Sequence, residues 1–406
     1  MAQLKYWVWL SSKTGIKPAA CQELISHFGT LENLYYAERG DYLKADGITG
    51  AEADILGDKS FETADRIFEA CDRGQIKLMT MQDAEYPDRL KNIGVPPILL
   101  YYKGTMPVFD EEAAIAVIGT RKCTAYGVTA AERLAHDIAA GGGYIVSGMA
   151  AGLDSAAHIG ALKAGKMTAA VLGGGVDVVY PPENRQLYED IIASGVVISE
   201  YPPGTRPLGI HFPVRNRIMS GLSLGVLVVE APRHSGTNIT ANYALEEGRD
   251  VFAVPGSIYV RESEGANNLI KSGAKLVSDA WDVLSEYTNV FPHKILITGR
   301  GEGADRAVIS NTMLTVKSRA KDRKNDTPEK EEEPRAPLSE KIKDFTECRR
   351  KIIVSIADIP KQVDDIMGLT GLSLRDVLAE LTLLELDGIV VSFPGKRHGL
   401  SDLFLK

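Results

Sequence analysis

The sequence of 406 residues predicts an α/β protein whose mainly parallel sheet lies between a helical N-terminal segment and a C-terminal winged-helix module. Seven short apolar runs recur between residues 114 and 277, and most are separated by amphipathic stretches of helical length. Such runs are typical of parallel strands that helices cover on both faces. Glycine-rich and polar turns follow most of the runs, at the strand ends where proteins of this class bind their ligands.

Residues 1–85 are predicted to form a small helical domain with a fold like that of a SAM or helix-hairpin-helix module. The segment from Pro18 to Phe28 carries apolar residues near one face, and Gly29 ends it. The turn from Gly47 to Gly50 has the spacing of a helix-hairpin-helix turn, in which backbone N–H groups contact phosphate. Because most short glycine turns are only turns, we rank a structural or partner-docking role above DNA contact.

Residues 86–290 are predicted to form the sheet domain. Val128–Ala140 and Asn238–Glu247 are the clearest of its amphipathic helices. The predicted strands are Ala114–Ile118, Tyr144–Val146, Thr168–Leu172, Val196–Ile198, Val226–Val229, Val251–Val254 and Lys275–Val277.

The turn after the first of these strands has the composition of a phosphate site. Gly119 allows an anion to approach the backbone N–H groups that open the next helix, Thr120 supplies a hydroxyl, and Arg121 supplies a planar charged fork. The alternative is that Gly119 only turns the chain and that Arg121 belongs to a surface ion pair.

The next two strands also end in small residues. Ser147 and Gly148 are predicted to hold a second phosphate beside Arg121. Asp154 and His158, four residues apart, form either an acid–base pair or half a metal site, or a hydrogen-bonded pair that fixes the helix start, and we favour the last.

The third strand is followed by Gly173 and Gly174, which permit close approach of the backbone to a ligand, and then by Asn184 and Arg185. Simple loop flexibility is the alternative interpretation of these glycines.

Two further turns complete the predicted pocket. Arg215 and Arg217 precede a buried strand, where Glu200 and Glu230 are candidate partners, so a structural ion pair competes with ligand binding. We assign Arg215 mainly to structure and Arg217 to either role. Ser235, Gly236 and Thr237 open a helix and suit an anion, although such residues also cap helices that bind nothing. Convergence of these loops at one sheet edge favours a pocket that binds phosphate.

The C-terminal part divides into a charged linker and a winged-helix domain. Residues 291–340 contain a long run of charged side chains of both signs and are assigned to a linker. Residues 341–406 are predicted to contain helices at Lys351–Met367 and Ser373–Leu386, followed by a hairpin. The second helix carries Arg375 among the acidic residues Asp376, Glu380 and Glu385. Its basic cluster lies instead in the wing, at Lys396, Arg397 and His398, which favours partner docking or weak duplex contact over base recognition.

Several classes of function are excluded or disfavoured. The net charge of −8 disfavours sequence-blind adhesion to duplex DNA. The four cysteines lack CxxC spacing, and no Walker A motif, dinucleotide fingerprint or Ser-His-Asp order is present. We therefore expect no cofactor, no metal site and no catalytic residue. With neither a signal peptide nor an apolar run long enough to span a membrane, we expect a cytoplasmic protein without membrane contact.

These motifs together resemble the DNA-processing protein DprA (Smf) family. The resemblance rests on the segments YPDRL, AVIGTRKCTAYG, SGMAAGLDSAAHIGAL, VLGGGVDVVYPPENRQL, SEYPPGT, FPVRNRIMSGLS, VVEAPRHSGTNITANYALEEGR, FAVPG and GANNLIKSGA. It covers about half of the chain, and the flanks resemble the family's helical and winged-helix modules.

The resemblance implies an extended Rossmann-like domain that binds single-stranded DNA and forms a homodimer. It also implies that the protein protects incoming strands and helps to load the RecA recombinase during natural transformation, without catalysis. The family's Gly-Ser-Arg turn falls on Gly119, Thr120 and Arg121, with threonine in place of serine, and Arg185 lies where the family has a basic residue that contacts DNA.

The alternative function is a Rossmann-like hydrolase of nucleotide N-glycosidic bonds. Gly236 and Thr237 at a helix start, followed by Glu246, loosely match the pattern of such enzymes, but the spacing differs. Release of free base from nucleoside monophosphates distinguishes the enzyme from the binding protein.

Overall fold

The computed structural model describes residues 3–233, 235–295, 345–357, 361–387, 389–393 and 397–400. The chain divides into two compact units, residues 1–305 and residues 306–406. The predicted α/β fold with a large, mostly parallel sheet, a helical N-terminus and a C-terminal winged-helix domain is confirmed. The linker predicted between the sheet and the winged helix lies mainly outside the described residues.

The first unit is built on a nine-stranded sheet. Its strands are β1 Lys77–Thr80, β2 Leu99–Gly104, β3 Ala113–Ile118, β4 Gly143–Ser147, β5 Thr168–Val171, β6 Val196–Ser199, β7 Gly225–Val228, β8 Asp250–Ala253 and β9 Lys275–Leu276. All seven predicted strands are present. The two strands β1 and β2 were not predicted, and they extend the sheet in antiparallel orientation.

The order of the strands creates a switch point at the middle of the sheet. The order is β1-β2-β6-β5-β4-β3-β7-β8-β9, and all neighbours from β6 to β9 are parallel. From β3 the chain continues to β4 on one side, whereas β7 pairs with β3 on the other side. Because the connections leave β3 and β7 in opposite directions, a crevice opens at their carboxyl ends, where ligands bind in open α/β sheets.

Helices cover both faces of this sheet, and 3₁₀ turns form at Phe109–Glu111, Pro182–Asn184, Arg261–Ser263 and Ser285–Tyr287. The helices of the first unit are α1 Leu4–Ser11, α2 Pro18–Phe28, α3 Leu31–Tyr36, α4 Arg39–Tyr42, α5 Gly50–Leu56, α6 Glu62–Gly74, α7 Asp88–Lys91, α8 Ala125–Ala140, α9 Leu153–Lys163, α10 Arg185–Ser194, α11 His211–Gly221, α12 Gly236–Glu246, α13 Glu264–Lys271 and α14 Trp281–Leu284.

Alternation along β3 shows how one strand supplies two cores. Ile115 and Val117 join the apolar cluster that contains α8, whereas Ala116 and Ile118 join the cluster on the opposite face with α11 and α12. Successive side chains of a strand point to opposite faces, so a strand buried on both sides must be apolar throughout. The continuous apolar run that predicted β3 is therefore explained by its central position.

The N-terminal helices pack directly on the sheet. Their buried residues, among them Trp9, Leu24 and Leu34, form one continuous cluster with Tyr101 of β2 and Val197 of β6. The antiparallel strands β1 and β2 thus connect the helical segment to the parallel sheet. A separate domain ending at residue 85 stays a prediction.

Over its described residues, the second unit contains three helices and a small sheet. Its elements are α15 Glu347–Ser355, β10 Lys361–Gln362, α16 Val363–Thr370, α17 Leu374–Leu386, β11 Val390–Phe393 and β12 Arg397–Leu400, with strand order β10-β12-β11. The single helix predicted over residues 351–367 is wrong, because α15 ends at Ser355 and a strand precedes α16. Pro360 lacks a backbone N–H group, so a helix cannot run through it without losing a hydrogen bond.

No helix within the described ranges is long and apolar enough to cross a bilayer. Over the same ranges, no cluster of three or more His, Cys, Asp or Glu side chains has the arrangement of a metal site.

Candidate nucleic-acid interface

A cleft of about 720 Å³ opens at the carboxyl ends of β3 and β7, at the switch point of the sheet. It is lined by the turn after β3, the start of α9, the loop before α11, the first half of α11, the start of α12 and the turn at Arg261. Its charged lining residues are Arg121, Lys122, Arg215, Arg261, Asp154 and Glu262. Cations outnumber carboxylates, so the cleft favours an anionic ligand.

Glu230, the second residue after β7, holds the turn that carries Arg121. Its backbone carbonyl accepts a hydrogen bond from the Thr120 N–H group at 2.8 Å. Its carboxylate accepts hydrogen bonds from the Thr124 N–H group at 2.9 Å and the Thr124 hydroxyl at 2.5 Å. Glu230 is 1% exposed. The turn between β3 and α8 is therefore fixed from both ends by one buried residue.

This arrangement corrects the prediction that the start of α8 receives a phosphate. The carboxylate of Glu230 already occupies that position, where the positive end of a helix stabilises a negative charge. Gly127 makes room for it, since a Cβ atom there would collide with the Glu230 carboxylate. Gly119 likewise packs without space for a Cβ atom, against Leu153. Gly119 and Thr120 line the cleft and shape the turn, and their contact with DNA stays a prediction.

Arg121 is the cation that the turn presents to solvent. It is exposed, and its guanidinium carbon lies 4.5 Å from the centre of the Phe212 ring. In the part of the chain that the structure describes, Arg121 has no hydrogen bond or ion pair to a carboxylate. Stacking on Phe212 holds the planar fork in place while its N–H groups stay available for an anion.

Arg215 and Arg217 lie on opposite sides of α11. Residues two apart on a helix point about 200° apart, so both side chains cannot face the same ligand. Arg215 lines the cleft. Arg217 lies outside the residues that line the cleft and donates to Glu200 at 2.6 Å in a buried ion pair. The geometry therefore favours a structural role for Arg217, which the sequence left open between structure and ligand, and makes Arg215 the candidate that faces the cleft.

Arg215 is a buried cation with unused donor capacity. It is 3% exposed and its Nε atom has no acceptor within the described residues. Burial lowers the pKa of Arg215 to about 10, and the nearby Asp154 opposes that shift. Burial raises the pKa of Asp154, and Arg215 opposes this shift in turn. Arg215 stays protonated near pH 7, and an anion entering the cleft would satisfy its free donor.

The start of α12 supplies a second anion-binding feature. Ser235, Gly236 and Thr237 all line the cleft, and their contact with DNA stays a prediction. Ser235 occupies the N-cap position of α12 without capping the helix, and its buried hydroxyl has no partner in the described ranges. An uncapped helix start attracts negative charge through its backbone N–H groups and its dipole. Among the described residues, no carboxylate accepts a hydrogen bond from this helix start, in contrast to that of α8.

Four predicted residues shape the floor around the cleft and do not line it. The Ser147 hydroxyl is fully buried and donates to the Val117 carbonyl at 2.7 Å. Gly148 packs against the guanidinium of Arg215, where a Cβ atom would collide. Gly173 and Gly174 pack against Phe212 and Pro207. The absence of side chains at these glycines serves protein packing next to the cleft.

Asn184 and Arg185 lie at the start of α10 and are not among the residues that line the cleft. The Asn184 amide donates to the Met149 carbonyl at 2.9 Å and to the Ser155 hydroxyl at 2.8 Å. These bonds hold Met149, which has a φ of 53° that non-glycine residues seldom adopt. Asn184 is thus structural in this geometry. Arg185 is exposed, and a role in DNA binding stays a prediction.

The predicted pairing of Asp154 with His158 is replaced by another contact. The Nδ1 atom of His158 lies 2.8 Å from the Thr168 hydroxyl, and complete burial lowers the pKa of His158 to about 3. A neutral, enclosed imidazole that contacts the neighbouring strand has a structural role. It takes no part in the cleft.

Two further candidates for nucleic-acid contact, which the sequence analysis ranked low, are the turn at Gly50 and the wing. The turn ending at Gly50 is closed by a capping box in which Thr49 and Glu52 satisfy each other's backbone N–H groups, which places a carboxylate where a phosphate would bind. In the wing, Lys396 lies outside the described residues. His398 lies 3.1 Å from Glu385.

Among the residues that line the cleft and that sequence reasoning missed are Lys122, Phe212 and Arg261. Lys122 directly follows Arg121, and Phe212 lies three residues before Arg215, so both were within the motifs already identified. Arg261 follows β8 in a segment without a recognisable motif. Its position becomes visible only when the chain between β8 and α13 is traced in three dimensions.

Comparison with known proteins identifies the same two regions. Residues 77–288 match the sequence model of DNA recombination-mediator protein A, and residues 329–396 match that of the DprA winged helix domain. Protein Smf of Synechocystis sp. is 35% identical over 404 residues, which cover 97% of this chain and 98% of that protein. The DNA processing protein DprA of Streptococcus pneumoniae is 46% identical over 202 residues, covering 50% of this chain and 71% of that protein.

A solved structure has the same architecture. The X-ray structure of DNA processing protein A from Streptococcus pneumoniae superposes with a TM-score of 0.56 at 37% sequence identity. The match covers 70% of this chain and 97% of that chain.

Proposed function

Because the chain belongs to the DNA recombination-mediator protein A family, we propose that it binds single-stranded DNA in the cleft at the switch point of its sheet. The observation that carries the proposal is a set of donor groups at this cleft that have no oxygen acceptor among the described residues. Arg121 is exposed and stacked on Phe212, the buried Arg215 has a free Nε atom, and α12 begins without a cap. Phosphates of a flexible strand would satisfy these donors.

The cleft also explains how an acidic protein can bind a polyanion. The net charge is −8, but four cations line this one cleft against two carboxylates. A local excess of positive charge attracts phosphate even when the whole surface is acidic. Aromatic rings beside the cations, Phe212 and the partly exposed Tyr180, offer faces on which unpaired bases can stack.

We further propose that binding protects incoming single strands and helps RecA to load on them during natural transformation, and that the protein catalyses no reaction. The carboxylate required by the glycosidase alternative is badly placed. Glu246 ends α12, about 15 Å from the helix start where Gly236 and Thr237 line the cleft. Formation of a homodimer stays a prediction of the family resemblance, and a cytoplasmic location stays a prediction of the sequence.

The first test compares single-stranded and duplex oligonucleotides of equal length by fluorescence anisotropy at several salt concentrations. We expect the single strand to bind more tightly, because its bases are free to stack. Release of about 0.7 counterion for each neutralised phosphate gives a slope of log K against log salt between roughly −2 and −3 for three or four cations. Equal affinity for both forms, or a slope near zero, would contradict binding in this cleft.

The second test measures RecA loading directly. We expect the protein to shorten the lag before RecA filaments grow on single-stranded DNA, since a mediator acts on filament nucleation. The lag can be followed with a fluorescently labelled strand whose signal rises as it is extended by the filament. A lag that does not respond to the protein, at concentrations where single-strand binding is saturated, would rule out the loading role and leave the binding proposal standing.

A further inference from the structure

One wall of the cleft is the loop of residues 201–210, which joins β6 to α11. Pro207 and Gly209 line the cleft. The residues beside them, Leu208 and Ile210, are 51% and 74% exposed. Two branched aliphatic side chains therefore stand on the rim of a cationic cleft, although polar residues would be better solvated there.

The loop is fastened so that these side chains stay exposed. The Gly175 N–H group donates to the Thr205 carbonyl at 2.9 Å, and the Gly204 N–H group donates to both oxygens of the Asp177 carboxylate at 2.8 and 3.0 Å. At the other end, the His211 Nδ1 atom lies 3.0 Å from the Gly173 carbonyl, and its ring stacks on Tyr201 at 4.2 Å. A loop fixed at both ends presents its side chains with little entropic cost on binding.

We propose that Leu208 and Ile210 contact the unpaired bases of the strand in the cleft and so select single-stranded over duplex DNA. This inference rests on the proposed function of the same cleft. Cations hold the phosphates of the strand, while its bases present flat apolar faces that pack against aliphatic side chains. In a duplex those faces are stacked inside the helix. A duplex in the cleft would therefore lie against Leu208 and Ile210 without presenting any base face that could pack on them.

The position of the two residues favours bases over a protein partner. They flank the residues that line the cleft, and the same loop leads directly into Phe212, on which Arg121 stacks. A strand whose phosphates contact Arg121 and the start of α12 must cross a rim of the cleft as it leaves. Leu208 and Ile210 are thus continuous with the candidate interface. The cations of the cleft are sufficient to hold a strand beside them, and no second basic surface is needed.

The test is the double variant Leu208→Ser with Ile210→Ser, measured with an oligothymidylate, an abasic strand of the same length and a duplex. We expect the parent protein to prefer the oligothymidylate over the abasic strand, and the variant to bind the oligothymidylate about tenfold more weakly. The variant should bind the abasic strand as the parent does, because the phosphate contacts are retained. Its preference for single strands over duplex should fall accordingly.

Leu245→Ser is the matched control, since Leu245 is 62% exposed on α12 and does not line the cleft. We expect its affinity for all three ligands to equal that of the parent. If the double variant also keeps the parent's affinities, the bases do not touch this rim, and the exposed pair serves a protein partner instead. If the parent binds no single strand at all, the proposed function fails first, so the two failures are distinguishable.

Discussion

Arg121→Glu is expected to abolish single-stranded DNA binding while the protein stays folded. Arg121 is exposed, so its replacement removes no buried contact except the stacking on Phe212. Loss of a charge-assisted hydrogen bond costs about 1.5–3 kcal/mol. Reversing the charge adds repulsion of the same phosphate, so an affinity loss of about 100-fold or more follows. Fluorescence anisotropy at low salt measures the loss, and circular dichroism checks the fold.

Arg133→Glu is the matched control for this experiment. Arg133 lies on the exposed face of α8, its side chain is 80% exposed, and it does not line the cleft. The substitution makes the same change in net charge, so an effect of global charge would appear equally in both variants. We expect Arg133→Glu to bind within about twofold of the parent, because distant surface charges are screened at moderate salt. Equal losses in the two variants would remove Arg121 from the interface.

Much of the sheet could be predicted from the sequence because its central strands are buried on both faces. Burial of this kind requires a continuous apolar run, and β3 to β8 all have one. The strand β1 escaped prediction because it lies in the segment that was assigned to helices, and β2 because it follows directly on residues that were considered only as part of a family motif. Their place in the sheet depends on the antiparallel pairing of β2 with β6, which joins residues far apart in the sequence, and on the pairing of β1 with β2.

The location of the site was also predictable, but the role of each residue was not. Polar turns after β3 and before α12 do meet at the switch point. Which helix start is free to bind an anion, however, depends on Glu230. Its carboxylate accepts a hydrogen bond at the start of α8 from Thr124, which is more than 100 residues away in the sequence. Similarly, a sequence cannot show which side of α11 faces the cleft. The proposed roles of Arg215 and Arg217 follow only from the rotation of α11 about its own axis, which decides which of the two side chains faces the cleft.

Glu200→Ala is expected to destabilise the first unit by about 3–5 kcal/mol. The Arg217–Glu200 pair is buried, with side-chain exposures of 6% and 13%. Removal of one partner leaves an uncompensated charge in a site of low dielectric constant, and the desolvation of that charge is no longer offset. Urea unfolding followed by tryptophan fluorescence measures the loss, because Trp7, Trp9 and Trp281 all lie in this unit.

Asp54→Ala provides the control, since Asp54 pairs with Arg39 on the surface with side-chain exposures of 63% and 57%. Exposed pairs of this kind contribute about 1 kcal/mol or less.

The double variant Glu200→Gln with Arg217→Met should recover much of the lost stability, because it removes both charges and keeps similar volumes. It should also bind single-stranded DNA as the parent does, since Arg217 does not line the cleft. A stable Glu200→Ala protein would show that Arg217 has another partner, and a loss of binding in the double variant would return Arg217 to the interface. The opposite responses expected at Arg121 and Arg217 thus separate a cation kept for a ligand from one kept for the fold.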